Sequence, residues 1–222
     1  MSNYFRRVPD FEYVSRLPDA KISDYITVKN LFKKGKLRED IFQNLAVFTK
    51  YQIKGDDRPD NVAFEFYGDS NLDWLVLVCN NILNIQTEWP LPQASFDAFL
   101  VDKYGGYDTI FGGIHHYETQ EIQDSNGVVV LSAGLQVDSD FTFRYYDGLS
   151  SSLITRSDAA IPVTNYEYEE KLQEDKRNIF LLKPRYLNVV FDDLEEIMAY
   201  EKGSTQYVSE TLKRGDNIRI YQ

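Results

Sequence analysis

Apolar and polar positions alternate along residues 47–54. Val47, Thr49, Tyr51 and Ile53 fall on one face, and Phe48, Lys50, Gln52 and Lys54 on the other, which predicts a strand. Gly55-Asp56-Asp57 ends it. Asp57 or Arg58 then precedes Pro59, a residue at home in a first helical turn. Val62, Ala63 and Phe66 make the stripe of a short helix, and Tyr67-Gly68 stops it, because glycine tolerates the left-handed conformation of a helix end. Asp69, Ser70 or Asn71 can cap the next helix, whose buried face is Leu72, Leu75, Val76 and Cys79 and whose end is Asn80-Asn81. Trp89-Pro90-Leu91-Pro92 closes this stretch as a stiff aromatic segment.

Further along, Phe96, Phe99 and Leu100 predict a helix over 95–104, stopped by Gly105-Gly106. Residues 114–146 turn β-rich. Val128 to Leu131 follow Asn126-Gly127, a strong hairpin signal, and Phe141, Phe143 and Tyr145 alternate in a further strand. Residues 148–162 read as a loop. Tyr166 to Lys176 is a charged helix, Ile179 to Leu182 a short apolar strand stopped at Pro184, and Val190, Leu194, Ile197 and Met198 the stripe of a last helix ending at Gly203. The final residues are polar and expected to be loosely held.

The start of the chain has no clear period. Pro9 and Pro18 bracket a Tyr/Phe/Arg-rich segment, so residues 1–20 are expected to form an extended arm. Ser23-Asp24 offers a helix start, followed by Ile26, Leu31 and Phe32 and then the Lys33-Lys34-Gly35-Lys36 break, after which Leu37, Ile41, Phe42 and Leu45 recur at helical spacing. The lysines around Gly35 fit a solvated helix end, where cations favour the helix dipole, better than a nucleic-acid patch.

Composition narrows the function. Hydrophobic residues make up 43% and charged residues 27% of 222, which is globular. The longest apolar run, Trp74 to Cys79, is six residues, against roughly 20 for a membrane span. No apolar stretch follows Arg6-Arg7, so no signal peptide is expected. The net charge of −11 is unevenly spread: residues 1–60 carry 12 basic and 9 acidic side chains, and residues 61–222 carry 12 and 26. The acidic part should repel nucleic acid and anionic membrane.

Catalytic chemistry is thinly supplied. Cys79 is the only cysteine, and His115 and His116 are the only histidines. Adjacent histidines on a strand point to opposite faces and cannot share a metal without a bend. The carboxylate pairs Asp56/Asp57, Glu169/Glu170, Asp192/Asp193 and Glu195/Glu196 do not give two acids across a cleft, and Asp192-Asp193 suits a helix start. Gly105-Gly106 and Gly112-Gly113 lack the lysine or helix start of a phosphate loop and read as turns. Arg214-Gly215-Asp216 matches an integrin-binding tripeptide, too short a match to carry weight. No catalytic residue, metal or cofactor is expected.

The motif running Tyr51, Pro59, Tyr67-Gly68-Asp69, Leu72-x-Trp74, Asn80 and Trp89 resembles a LysM-type βααβ module of the variant common in phage tail proteins. The order of arm, LysM-like core, hairpin, charged helix and last helix resembles the baseplate wedge subunit fifty-three family of T-even-type contractile-tail phages. The match is best over 45–90, with a second over 166–200. The resemblance implies an α+β fold with five parts: arm and short helices over 1–44, the LysM-like core over 45–92, an insertion over 93–177, a closing strand and helix over 178–203, and a polar tail over 204–222. Asn178–Lys183 is then expected to pair with Val47–Lys54.

It also implies a non-enzymatic virion protein, assembled in the host cytoplasm, that binds other wedge proteins and joins neighbouring wedges around the hub. Nucleic acid and membrane are not expected partners. The alternative is a LysM-type peptidoglycan-binding module with Tyr67 and Trp74 stacking on sugar, but a module this short needs those aromatics inside. The expected interface is the aromatic, basic arm: Tyr4, Phe5, Arg6, Arg7, Phe11 and Tyr13. Deleting residues 1–20 is expected to leave a folded body.

Overall fold

The computed structural model describes residues 4–21 and 23–215. Along the chain run α1 (Tyr4–Arg7), β1 (Asp10–Val14), β2 (Tyr25–Lys29), α2 (Glu39–Phe42), β3 (Phe48–Gln52), α3 (Pro59–Tyr67), α4 (Asp73–Cys79) and α5 (Ile85–Glu88). Next come α6 (Gln93–Tyr104), α7 (Tyr107–Gly112), β4 (Ile114–Thr119), β5 (Ile122–Gln123), β6 (Val129–Leu131), β7 (Gln136–Val137), β8 (Phe143–Asp147), β9 (Ser152–Arg156), β10 (Ala160–Thr164) and α8 (Asn165–Arg177). The described chain closes with β11 (Asn178–Leu182), α9 (Leu187–Met198), β12 (Tyr207–Ser209) and β13 (Leu212–Arg214). The fold is mixed α+β. It divides into two compact units: the residues up to Trp89 together with those from Asn178 onward, and Pro90–Arg177.

The first unit is built on β3, α3, α4 and β11. Strands β3 and β11 pair antiparallel from Asn178 opposite Gln52 to Leu182 opposite Phe48. Lys183 N–H donates to the Val47 carbonyl at 3.0 Å, extending the ladder. Pro59 opens α3, where its fixed φ fits and its missing N–H costs nothing. Gly68 ends it at φ +77° and donates its N–H to the Phe64 carbonyl. The Asp69 carboxylate caps a 3-10 turn at Ser70–Leu72 by accepting from Asn71 N–H at 3.0 Å. Val62, Ala63, Leu75, Val76, Leu181 and Leu182 are all fully buried, each large one stabilising by about 1.5–3 kcal/mol. Helix α9 adds Val190, Leu194 and Met198, one face at four-residue spacing.

Several expectations are corrected here. The arm is not extended from the body: α1 packs on the core, and β1 lies inside a sheet of order β12-β13-β1-β2. The same sheet orders the polar tail as far as Arg214, since β13 runs parallel to β1. Residues beyond Gly215, including Asp216, lie outside the described residues. Tyr25–Lys29 is a strand rather than a helix, because all five of its residues pair with β1. The helical spacing around Ile41 yields one turn: Leu37 and Ile41 are buried, but Phe42 and Leu45 are 48% and 73% exposed and supply no apolar face.

Helix α9 stops at Met198, five residues before Gly203. Lys33 Nζ donates to the carbonyls of Ile197, Met198 and Ala199 at 3.0, 3.3 and 2.6 Å, satisfying the helix end. The Lys33 side chain thus does serve a helix C-terminus, but that of a helix more than 160 residues away.

In the second unit, α6, α7 and α8 bury Phe96, Leu100 and Ile110 with Tyr166 packed alongside. Glu169 of α8 is 3% exposed and accepts from Lys103 Nζ at 2.5 Å and Tyr104 Oη at 2.8 Å. The β region forms a sheet of order β10-β4-β7 and two hairpins, β5–β6 and β8–β9. The stretch read as a loop holds β9 and β10. Pro162 is tolerated because β10 is an edge strand. Gly106 and Gly113 flank α7 and Gly112 is its last residue, so these glycines border a helix instead of forming simple turns.

Candidate protein interface

The six N-terminal candidates divide between core and surface. Tyr4 turns inward: its ring lies 5.6 Å from that of Trp74, and its hydroxyl accepts from Gly35 N–H at 3.0 Å. Arg7 bonds Glu195 Oε1 at 2.6 Å and places its guanidinium 4.7 Å from the Phe191 ring centre, fastening α1 to α9. Phe11 is half-buried on β1 against the backbone near Gly215. Phe5 (60% exposed), Arg6 and Tyr13 face solvent. The arm that sequence treats as one interface is therefore half core and half surface.

The motif residues are brought together inside the first unit. Trp74 is 9% exposed, between Tyr4 and Phe191. Trp89 is 5% exposed, and its indole N–H donates to the Asp57 carbonyl at 2.9 Å, tying the loop after β3. Tyr51 Oη donates to Glu65 Oε2 at 2.6 Å, and Lys54 pairs with the same carboxylate. Tyr67 packs edge-on to Phe66. Burial raises the Tyr67 phenol and pushes the Cys79 thiol up to about 12, so the thiol stays protonated and unreactive.

Asn80 has the most specific role. Its amide donates to the Val76 carbonyl at 2.8 Å and the Phe180 carbonyl at 2.9 Å, and its carbonyl accepts from Phe180 N–H at 2.7 Å. One side chain thus caps α4 and pairs the outer edge of β11 as a neighbouring strand would.

The remaining chemistry-bearing residues are engaged in structure. Ile114 lies opposite Thr164 and His116 opposite Val163, so His115 is bulged out of the ladder. That bend overturns the expected opposite-face arrangement and brings the two Nδ1 atoms to 2.9 Å. His115 stacks on Tyr168, and His116 Nε2 meets Glu118 Oε1 at 3.0 Å, which Lys171 also reaches. Among the described residues no three His, Cys, Asp or Glu side chains are grouped to hold a metal. Asp192 and Asp193 lie within α9 rather than at its start, and Asp193 accepts from Arg38.

Asp147 is fully buried and accepts from Ser125 N–H at 3.1 Å, Ser125 Oγ at 2.9 Å and Ser150 N–H at 2.9 Å. The Ser150 hydroxyl and amide, then the Ser125 amide and hydroxyl, hold its carboxyl at about 2.

Sequence reasoning placed Leu31 and Phe32 in a helical stretch and so missed the exposed loop that carries them. Both side chains are exposed, Phe32 completely. The available signal was an apolar pair with no helical partners, set against a lysine cluster and a glycine.

Comparison with known proteins gives the context for these surfaces. Residues 4–132, more than half of the chain, match the family described as base plate wedge protein 53. The baseplate wedge protein gp53 of Enterobacteria phage T4 is 26% identical over 184 residues, covering 74% of this chain and 86% of that protein. Those matches join a fold of exposed apolar side chains and structurally committed polar groups to a known class of virion component: the chain belongs to the base plate wedge protein 53 family, structural proteins of the phage tail baseplate.

Proposed function

We propose that this protein is a non-enzymatic part of the baseplate wedge, assembled in the host cytoplasm, that binds other wedge proteins and joins neighbouring wedges around the hub. Family membership carries this reading. The surface supports it. The first unit exposes Phe5, Leu31, Phe32 and Phe64, and the second exposes Tyr107 and Leu149. Large apolar side chains set among polar ones are what a protein with several partners requires.

The strand-helix-helix-strand order of β3, α3, α4 and β11 supports a LysM-like core whose closing strand arrives after an 88-residue unit, 90–177. In this reading Tyr51, Pro59, Tyr67, Gly68, Asp69, Leu72, Trp74, Asn80 and Trp89 are scaffold, and the exposed Phe5, Arg6 and Tyr13 are the part of the N-terminal segment that meets a partner. A role in binding peptidoglycan is disfavoured by Trp74, one of the two aromatics proposed to stack on sugar, which is buried and so closed to it; the other, Tyr67, is half-buried.

Wedges assembled from co-expressed tail proteins of the same phage test the proposal. With this chain, wedges should associate into closed baseplates; without it, single wedges should accumulate. Normal closure in its absence, or retention of the purified chain on peptidoglycan, would count against it.

A further inference from the structure

The loop between β2 and Leu37 is clamped on both sides of an exposed tip. Asn30 N–H donates to the Pro9 carbonyl at 2.9 Å, its amide donates to Tyr200 Oη at 2.8 Å, and its side-chain carbonyl accepts from Phe32 N–H at 3.2 Å. Lys33 is committed to the end of α9 and lies 4.9 Å from the Tyr200 ring centre. Gly35 is packed so closely that an added Cβ would come within 2.5 Å of Leu194 Cδ1. Between these holds, Leu31 is 70% and Phe32 101% exposed.

A flexible loop could fold such side chains down. This one is held by its backbone, so the aromatic ring is presented in advance, and little ordering cost remains for association. Charge distinguishes the loop itself. No acidic residue occurs from Tyr25 to Arg38, although the chain carries −11 overall and Glu201 lies near Lys33, with Glu39, Asp193 and Glu196 bordering the groove at Lys36. Lys29 pairs with Asp10, whereas Lys34 and Lys36 are exposed and hold no ion pair among the described residues.

We infer that Leu31-Phe32 is a preformed docking knob that inserts into an apolar pocket, rimmed by Asp and Glu, on another protein of the baseplate. The inference rests on the wedge reading above, which supplies the class of partner. Phe32 fills the pocket, Leu31 packs at its lip, and Lys34 and Lys36 meet the acidic rim.

The test uses the full chain in tails assembled in infected cells. A photo-crosslinking benzoylphenylalanine at position 32 should give one adduct with another baseplate protein, at apolar residues flanked by carboxylates. Phe32→Asp should keep native tryptophan fluorescence and yet enter tails about 30-fold less than wild type, the loss expected for a central aromatic contact. Lys34→Glu with Lys36→Glu should also lower incorporation, because the reversed charges repel the acidic rim. Adducts only with a second copy of this chain would overturn the inference. So would loss, in Phe32→Asp, of binding to phosphatidylglycerol vesicles, or incorporation of that variant within threefold of wild type. Failure of the wild-type chain to enter tails would instead defeat the wedge reading itself.

Discussion

Replacing Asn80 by alanine should destabilise the first unit without disturbing the second. Three hydrogen bonds are lost, at 2.8, 2.9 and 2.7 Å, to Val76 and both backbone groups of Phe180. Each is worth about 0.5–1.5 kcal/mol net. Phe180 is 37% exposed, so water recovers part of its two, and about 2 kcal/mol is expected in total. The two tryptophans, Trp74 and Trp89, both lie in the first unit, so their fluorescence reports its unfolding alone. With a urea slope of about 2 kcal/mol/M the midpoint should fall by about 1 M. Amide exchange at Phe180 should accelerate more than the global loss of stability explains. Asn80→Asp keeps one acceptor, loses both donors and sets a negative charge at the C-terminus of α4, so it should be at least as harmful. A midpoint within 0.2 M of wild type for Asn80→Ala, or an aspartate variant milder than the alanine one, would refute this account of β11's edge.

Four further outcomes are expected. Leu75→Ala removes a fully buried side chain and should cost about 2–5 kcal/mol by urea unfolding. Gly68→Ala meets no atom within 4 Å but forces a side chain onto φ +77°, so it should cost about 1 kcal/mol through backbone strain alone, with an unchanged fold by circular dichroism. The folded Asp147 carboxyl, at about 2, lies below its unfolded value, so the unfolded chain takes up this proton first. Its contribution is present above the unfolded value near 3.8 and is lost as pH falls through about 2; Asp147→Asn should flatten that part of the acid unfolding curve. Deleting residues 1–20 removes Tyr4, Arg7 and the whole of β1, so the truncated chain should unfold at markedly lower urea instead of behaving as an intact body, read again by tryptophan fluorescence.

Local chemistry was the legible part of this fold. Pro59, Gly68 and Asp69 act on residues within one turn of themselves, so α3 and the turn after it follow from spacing alone. The pairing of β3 with β11 was legible only through the resemblance to a LysM-type module, which calls for a second strand beside the first. What could not be read depends on partners far along the chain. Tyr25–Lys29 becomes a strand only because β1 lies beside it, and β1 is fixed in turn by β13, some two hundred residues later. Lys33 reads as surface until the end of α9 is brought to it. The histidine pair reads as two-faced until a register shift bends the strand. At the surface, Tyr4 and Phe5 are neighbouring aromatics that the sequence treats alike. Packing against Trp74 and the hydroxyl's bond to Gly35 N–H separate the one that is core from the one that can meet a partner.

The separation between β3 and β11 also fixes an order of events during synthesis. The first unit lacks half of its central strand pair, and all of α9, until the ribosome has passed Met198. Residues 90–177 are complete well before that, and their folding shortens the effective loop that β11 must close against β3. The second unit should therefore fold first and act as an internal guide for the first, which is otherwise a slow, non-local closure. Chains truncated after Arg177 and released from the ribosome should show protease-resistant fragments from 90–177 only, with Trp74 and Trp89 still in water.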